Sequence, residues 1–150
     1  MIPSLICNIC SLKVLDLSHN NLSDMISLCL GNFSDSLSVL DLRNNKFYGT
    51  ILETFAKGNN LRSLNLNGNQ LEGPLPQSLV NCRHLEVLDL GNNKISGIFP
   101  HWLGTLPKLW VLVLQANRFQ GTIGNPKTKF TFTNWQTMSF KWQLGNDRNS

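Results

Sequence analysis

The chain has 150 residues, of which 41% are hydrophobic and 15% are charged. This balance supplies enough apolar side chains for one folded unit and excludes an intrinsically disordered chain. The formal net charge is +4, but the basic residues are spread along the chain and accompany no groove-entering motif, so we expect no nucleic-acid partner.

The sequence contains no segment that would place it in a membrane. It has no run of 18 apolar residues, which predicts no membrane-spanning helix. The first ten residues, MIPSLICNIC, lack the basic start and long apolar core of a secretory signal peptide. We therefore expect no membrane contact by this segment, and we interpret Met1 as the start of a fragment cut inside a repeat.

An internal repeat dominates the chain, and its clearest copy reads LEVLDLGNNKISGIFPHWLGTLPK from Leu85 to Lys108. The spacing L-x-x-L-x-L-x-x-N-x-Φ, where Φ is apolar, matches the leucine-rich repeat template, whose period is roughly 20 to 29 residues. We therefore expect a solenoid over residues 1–124, and a loop with a degenerate sixth repeat and tail over residues 125–150. After a leading half repeat, five units of roughly 24 residues open at Leu12, Leu37, Leu61, Leu85 and Leu109.

Each unit opens with a predicted β-strand. Leucines alternate with polar residues and have β-branched neighbours, which favours a short strand with its leucines on one face. Such a strand can pair only with the equivalent strand of the next unit, about 4.8 Å away. The predicted fold class is therefore an α/β repeat, a solenoid with a parallel concave sheet and short helical or irregular convex turns. The predicted strands cover residues 14–17, 39–42, 63–66, 87–90 and 111–114.

An asparagine follows the strand at the same place in every unit. An amide among leucines would cost roughly 1–3 kcal/mol if its hydrogen-bonding groups stayed unpaired. Because an amide has two donors and an acceptor, it can bond the main chain of its own turn and of the adjacent unit at once. We therefore predict a buried structural ladder, and not a ligand site, formed by Asn20, Asn45, Asn69, Asn93 and Asn117.

The closing half of each unit carries turn residues. A glycine recurs four positions after the asparagine, as at Gly73 and Gly97, and predicts a turn with positive φ. A proline near three residues later fixes an extended φ in two of the units. The segments that follow, 77–81 and 101–105, are predicted to be short helical turns on the convex side.

The pattern slips after Ile123. Trp135, Met138 and Phe140 can replace the three leucines of a further unit, but Gln143 stands where the asparagine belongs. We predict a degenerate sixth strand in this region, preceded by a loop that contains Gly124 and Pro126.

The full unit, L-x-x-L-x-L-x-x-N-x-Φ-x-G-x-Φ-P-x-x-L-x-x-L, resembles the plant extracellular class of leucine-rich repeats. The phrases LDLGNNK at 88–94 and FPHWLG at 99–104 look like plant receptor-like proteins of the disease-resistance group. This resemblance implies a parent protein at the extracellular face of the plasma membrane that senses pathogen-derived or endogenous ligands. It implies a protein, peptide or glycan ligand, and it leaves room for a co-receptor kinase as a second partner.

Three other interpretations compete with this one. The polygalacturonase-inhibiting proteins of plants share the repeat unit, although that resemblance implies terminal cysteine pairs that are absent here. A truncated product with no independent function is a second alternative. An ice-binding array would need a regular outward surface, and the outward positions Ser18, Arg43, Asn67, Gly91 and Gln115 are too varied for it.

No motif in the sequence predicts catalysis. The three histidines, His19, His84 and His101, do not have metal-ligand spacing from cysteines or carboxylates. The aspartates on the strands recur with the period of the repeat, which favours an architectural role. We therefore predict no catalytic residue, no metal site and no cofactor.

The outward strand positions change character in the fifth unit. Trp110 stands where earlier units have polar or charged residues, and Val113 stands where they have aspartate or asparagine. Exposed aromatic residues on a rigid scaffold are frequent interface anchors. The alternative is that the loop after Ile123 folds back and covers both residues. The candidate ligand-binding residues on the concave face are Trp110, Val113, Gln115, Trp142 and Arg43.

Two covalent modifications are expected in a secreted parent protein. Cys7 and Cys29 lie in equivalent convex stretches of consecutive units and can form a bridge between adjacent turns. The alternative is that all four cysteines are small buried thiols. Asn21 and Asn32 each begin an N-x-S sequon, which predicts N-glycosylation.

Overall fold

The computed structural model describes residues 4–30, 36–51, 53, 55–120 and 141–142. Within these ranges the chain forms short strands joined by 3-10 helical turns at Ser4–Asn8, Leu28–Leu30, Gln77–Asn81 and His101–Thr105. The strands in chain order are β1 Val14–Asp16, β2 Val39–Asp41, β3 Tyr48–Thr50, β4 Ser63–Asn65, β5 Gln70–Gly73, β6 Val87–Asp89, β7 Lys94–Ile98, β8 Val111–Val113, β9 Arg118–Gln120 and β10 Lys141–Trp142.

The concave sheet contains β1, β2, β4, β6, β8 and β10 in that spatial order. Its first five strands run parallel, and each begins at the residue predicted from the sequence. The register places equivalent leucines side by side across all five repeats, which confirms the predicted fold class. The central leucines of this register are Leu15, Leu40, Leu64, Leu88 and Leu112.

The sixth strand of this sheet differs from the prediction. Lys141 and Trp142 pair with Val113 and Leu112, so β10 runs antiparallel to β8. The residues from Trp135 onward that the sequence analysis assigns to this strand lie outside the described ranges, as does most of the predicted tail. Parallel pairing depends on the repeat period, which ends with the fifth unit, so nothing in the repeat fixes the direction of the next strand.

A second parallel sheet, formed by β3, β5, β7 and β9, is not predicted by the sequence analysis. Its strands lie directly after the ladder asparagines, where glycine suggested only a turn. Each strand, or the residue just before it, supplies one large apolar side chain to the core. These core side chains, none more than 4% exposed, are Phe47, Leu71, Ile95 and Phe119.

The core lies between the concave sheet and the convex turns. Leu64 and Leu88 face it from the strands, and Leu79 and Leu103 face it from the 3-10 turns, all of them at most 1% exposed. The two turns occupy the predicted positions. Full burial of one such leucine contributes about 1.5–3 kcal/mol, and stacking the units makes this burial continuous along the solenoid.

Left-handed backbone recurs at two positions of the repeat. The predicted glycines Gly49, Gly73 and Gly97 have φ of 80°, 76° and 99°. The residue just before the ladder asparagine is also left-handed, which the sequence analysis does not predict because that position holds several residue types. Its members are His19, Asn44, Gly68, Asn92 and Ala116, with φ between 53° and 72°.

Candidate functional site

An asparagine ladder runs along the end of the concave strands and fixes their positions. In Asn69, Nδ2 donates to the Leu42 and Leu66 carbonyl oxygens at 3.0 Å each, and Oδ1 accepts from the Phe47 N–H at 3.0 Å. One side chain therefore joins two repeats. Equivalent bonds are formed by Asn45, Asn93 and Asn117.

The first member of the ladder differs from the buried amide that the sequence predicts. Asn20 is exposed, whereas the three central asparagines are only 7–8% exposed. Its Nδ2 donates within its own turn, to Leu17 O at 3.0 Å and Ser18 O at 2.8 Å. In the described concave sheet no strand lies before β1, so the Asn20 amide has no earlier repeat to bond.

The aspartates that recur on the concave strands have structural partners. Asp16 accepts hydrogen bonds from the Ser18 hydroxyl at 2.6 Å and the Ser18 N–H at 3.0 Å. These bonds favour the carboxylate and lower the pKa of Asp16 below its usual value. The aspartates therefore fix the turns that follow β1, β2 and β6. Equivalent main-chain bonds join Asp41 to Arg43 and Asp89 to Gly91.

Three of the candidate binding residues lie together in the fifth repeat. Trp110 is 45% exposed just before β8, and Val113 and Gln115 are half-buried at its end. The backbone of Trp142 pairs with Leu112 in the neighbouring strand, and its side chain lies outside the described part. These residues form one end of the concave face.

Arg43 is separate from that group. It lies three repeats away, which corresponds to about 14 Å across the strands. Its side chain is exposed and forms an ion pair with Asp41 at 3.4 Å. The concave face therefore presents candidate contacts along its length and does not gather them in one pocket.

A basic depression opens at the N-terminal end of the concave face, and the sequence analysis does not single it out. It has a volume of about 450 Å³. Three of its side chains occupy one position, the residue after the opening leucine, in three consecutive repeats. A sequence signal was available, because two of those three residues are basic. The depression is lined by Lys13, Ser36, Ser38, Asn60 and Arg62.

The cysteines fall into two classes. Cys7 and Cys29 form a disulfide, with a sequence separation of 22 and Cα atoms 5.8 Å apart. This bond joins the first two 3-10 turns. Cys82 is a buried thiol, and burial raises its pKa to about 11.

One of the two sequon asparagines lies among the described residues. Asn21 is exposed on the turn after the first ladder asparagine, so a glycosyltransferase could reach it. Asn32 lies outside the described residues. Glycosylation at either position stays a prediction.

The described residues contain no candidate metal site and no helix long and apolar enough to span a membrane. His19 contacts the Asn44 amide at 3.4 Å, and His84 contacts the Lys108 amine at 3.4 Å. These two histidines therefore lie next to an amide and an amine group. The sequence prediction of no metal or catalytic group stays a prediction.

Comparison with known families decides what the repeats are. Models described as leucine rich repeat match residues 60–119 and residues 11–33 and 36–57, which together make up well over half of the chain. The chain belongs to the leucine-rich repeat family. The in-register strands and the asparagine ladder described above are thus the scaffold of its leucine-rich repeats.

These leucine-rich repeats are similar to those of plant receptor-like proteins. Receptor-like protein 32 and Receptor-like protein 6 of Arabidopsis thaliana are each 48% identical over 62 residues, which is 41% of this chain. The matched stretch is 7% of the first protein and 6% of the second, so the chain corresponds to a small part of either. The matches confirm the resemblance stated from the sequence.

Solved plant ectodomains have the same fold. The leucine-rich repeat ectodomain of the Arabidopsis thaliana receptor kinase GASSHO1/SCHENGEN3 is 35% identical with a TM-score of 0.74, and the match covers 81% of this chain and 14% of that one. The Arabidopsis receptor kinase HAESA is 35% identical with a TM-score of 0.74, and the match covers 80% of this chain and 20% of that one. A chain of the BIR3–SERK2 complex from Arabidopsis thaliana is 35% identical with a TM-score of 0.70, and the match covers 77% of this chain and 62% of that one.

Proposed function

We propose that this chain is a ligand-binding segment of a plant receptor-like protein ectodomain that acts in pathogen perception. The observation that carries the proposal is the difference between the inward and the outward positions of each repeat. Inward positions repeat the same leucines and asparagine, whereas outward positions of the same strands change from Lys13 to Trp110 and from Asp16 to Val113. A scaffold that is constant inside and variable outside suits recognition of a specific partner.

The kind of ligand is inferred from similar proteins. HAESA was crystallised with the peptide hormone IDA and the co-receptor SERK1, and the receptor RGFR1 with RGF2. By analogy, we expect a protein or peptide ligand for the parent of this chain, and a co-receptor kinase as a further partner. We therefore propose that the segment lies at the extracellular face of the plasma membrane and has no catalytic role.

The fifth repeat supplies the proposed contact. Trp110 is 45% exposed just before a strand whose leucine, Leu112, is only 1% exposed, so the indole is held on a rigid support. Such anchors carry much of the energy of interfaces. Six strands that each expose about five residues offer about 400 Å², against about 800 Å² per partner in a standard interface. The segment therefore acts as part of a longer array.

The direct test replaces Trp110 by alanine and Val113 by aspartate in the parent receptor. We expect a loss of the response to microbial cell-wall extract with normal accumulation of the protein. The matched control is Ile98→Ala, because Ile98 is 75% exposed but lies in the second sheet. An unchanged response of the Trp110 and Val113 variant would contradict the proposal.

The inhibitor alternative is tested with the same material. The purified parent ectodomain is assayed for inhibition of a fungal polygalacturonase. Inhibition without any response to cell-wall extract would favour the polygalacturonase-inhibiting class. A response without inhibition would support the receptor function.

A further inference from the structure

Lys13, Ser38 and Arg62 form a line of three donors across adjacent strands of the concave sheet. The backbone fixes this line, because the Ser38 N–H donates to Lys13 O at 2.8 Å and the Arg62 N–H donates to Ser38 O at 2.7 Å. Neighbouring strands lie about 4.8 Å apart. Two cations and a hydroxyl therefore share a span of about 10 Å.

The charges on this line are not neutralised within the described part of the chain. The ion pair found there joins Arg43 to Asp41, and no carboxylate of a described residue lies within ion-pairing distance of Lys13 or Arg62. The Ser38 hydroxyl also makes no hydrogen bond to a described residue. Lys13 and Arg62 are exposed and Ser38 is half-buried, so all three donors can meet a ligand.

Two further residues enclose this line of donors in a depression. Ser36 and Asn60 complete a depression of about 450 Å³ around Lys13, Ser38 and Arg62. The Ser36 hydroxyl donates to Cys10 O at 2.6 Å, which holds that wall in place. A carboxylate that enters the depression can accept hydrogen bonds from both cations, and charge-assisted bonds of this kind are roughly twice as strong as neutral ones.

Lys13, Ser38 and Arg62 belong to a column, the residue after the opening leucine in successive repeats. The charge at this position becomes negative in the fourth repeat. Glu86 occupies this position in the fourth repeat, and Trp110 occupies it in the fifth. A polymer with a carboxylate on every unit, such as a polyuronide, would meet the Glu86 carboxylate after the depression. A peptide can place acidic side chains over the first three repeats and an apolar side chain over Trp110, so the column favours a peptide.

We propose that this depression binds acidic side chains of a peptide ligand whose apolar residue lies toward Trp110. The inference rests on the proposed ligand-binding function and adds the chemistry of the ligand. Ser38 and Trp110 are three strands apart, about 14 Å, which an extended peptide covers in about four residues. The ligand therefore carries acidic residues and an apolar residue separated by about four positions.

The test measures binding of labelled peptides to the full chain. The probe has two glutamates, a three-residue glycine-serine spacer and a phenylalanine, and it is made in both chain directions. The reference peptide has glutamines in place of the glutamates. We expect the acidic probe in one direction to bind at least tenfold more tightly than the reference, and salt to weaken it.

The variants separate a local site from general charge attraction. Lys13→Ser with Arg62→Ser is compared with Lys57→Ser and Arg83→Ser, which removes the same charge from exposed positions on the convex side. We expect at least a tenfold loss of acidic-probe affinity in the first pair and less than twofold in the second. Thermal unfolding of both pairs verifies that each variant is folded.

Three results would overturn the proposal. They are no preference for the acidic probe, equal losses in the two double variants, and binding of oligogalacturonate but not of the peptide through Lys13 and Arg62. A last arm distinguishes this failure from failure of the proposed function. If Trp110→Ala abolishes the response of the parent receptor and the Lys13 and Arg62 variant does not, the depression is not the site, although the receptor function stands.

Discussion

At Asn69 a single amide satisfies main-chain groups from two adjacent repeats. We predict that Asn69→Ala lowers the free energy of unfolding by about 3 kcal/mol. The buried Phe47 N–H loses its partner, and the Leu42 and Leu66 carbonyls each lose one of two amide donors. Urea unfolding followed by circular dichroism measures this change. Most of the loss comes from desolvation of the unpaired Phe47 N–H, since the methyl group of alanine replaces none of the hydrogen bonds.

Asn20→Ala is the control for this prediction. The residue type and ladder position are the same, but the Asn20 amide is exposed, so water replaces its bonds. We expect a loss of about 1 kcal/mol or less. Equal losses for the two variants would show that burial of the ladder does not determine its contribution.

The left-handed position before the ladder asparagine gives a second prediction at the residue scale. Gly68 has φ of 72°, and a Cβ added there would meet the Asn44 side-chain oxygen. Gly68→Ala should therefore cost about 1–2 kcal/mol for the backbone conformation, and more if Asn44 must move. Gly104→Ala is the control, since a Cβ there meets nothing within 4 Å and φ is not positive. A loss in both variants would contradict this account.

The buried thiol of Cys82 links stability to pH. Its folded pKa of about 11 lies above the ordinary value of 9.0 because burial penalises the thiolate. Its contribution to stability is full below about pH 9 and is lost as the pH rises toward 11. At pH 8 we expect iodoacetamide to modify the exposed Cys10 quickly and Cys82 only through unfolding. Rapid modification of Cys82 in the folded chain would show that it is not buried.

At the scale of elements, the disulfide ties the two N-terminal 3-10 turns together. Closure of 22 residues by Cys7 and Cys29 stabilises a chain by about 3 kcal/mol in the loop-entropy estimate. In a solenoid each unit contacts only its neighbours, so we predict that Cys7→Ala with Cys29→Ala has a local effect. Hydrogen exchange should accelerate at β1 and stay unchanged at β6, and equal acceleration at both strands would contradict this.

Some of the strands could be predicted from the sequence and others could not. Leu88 and Leu90 predict the start of β6, because alternation identifies a strand with one buried face. β3 and β5 could not be recognised in the same way, since Gly49 and Gly73 are turn residues in isolation. Their pairing is created by the register of the concave sheet, which brings each short segment beside its equivalent in the next repeat.

The candidate site was predictable to a similar extent. The period identifies Trp110 and Val113 as outward residues, because their neighbours Leu109 and Leu112 are inward. It cannot show that Arg43 is paired with Asp41 while Arg62 has no ion pair in the described part of the chain. Pairing depends on side-chain positions across repeats, so the basic depression appears only in three dimensions.

At the scale of the whole molecule, the concave sheet sets where recognition occurs. Its strands are rigid because leucines anchor one face and asparagines fix the ends, and its other face is left to variable side chains. The convex turns carry Trp102, which is half-buried against the core. Trp102 on the convex side and Trp110 on the concave side can therefore be compared directly.

Oxidative footprinting of Trp110 and Trp102 in the parent ectodomain tests the central claim, that ligand binds the concave face. The oxidation rate of each indole is measured by mass spectrometry with and without active microbial extract. We predict that the extract slows oxidation of Trp110 several-fold and leaves Trp102 unchanged. Protection of Trp102 with no change at Trp110 would contradict the account.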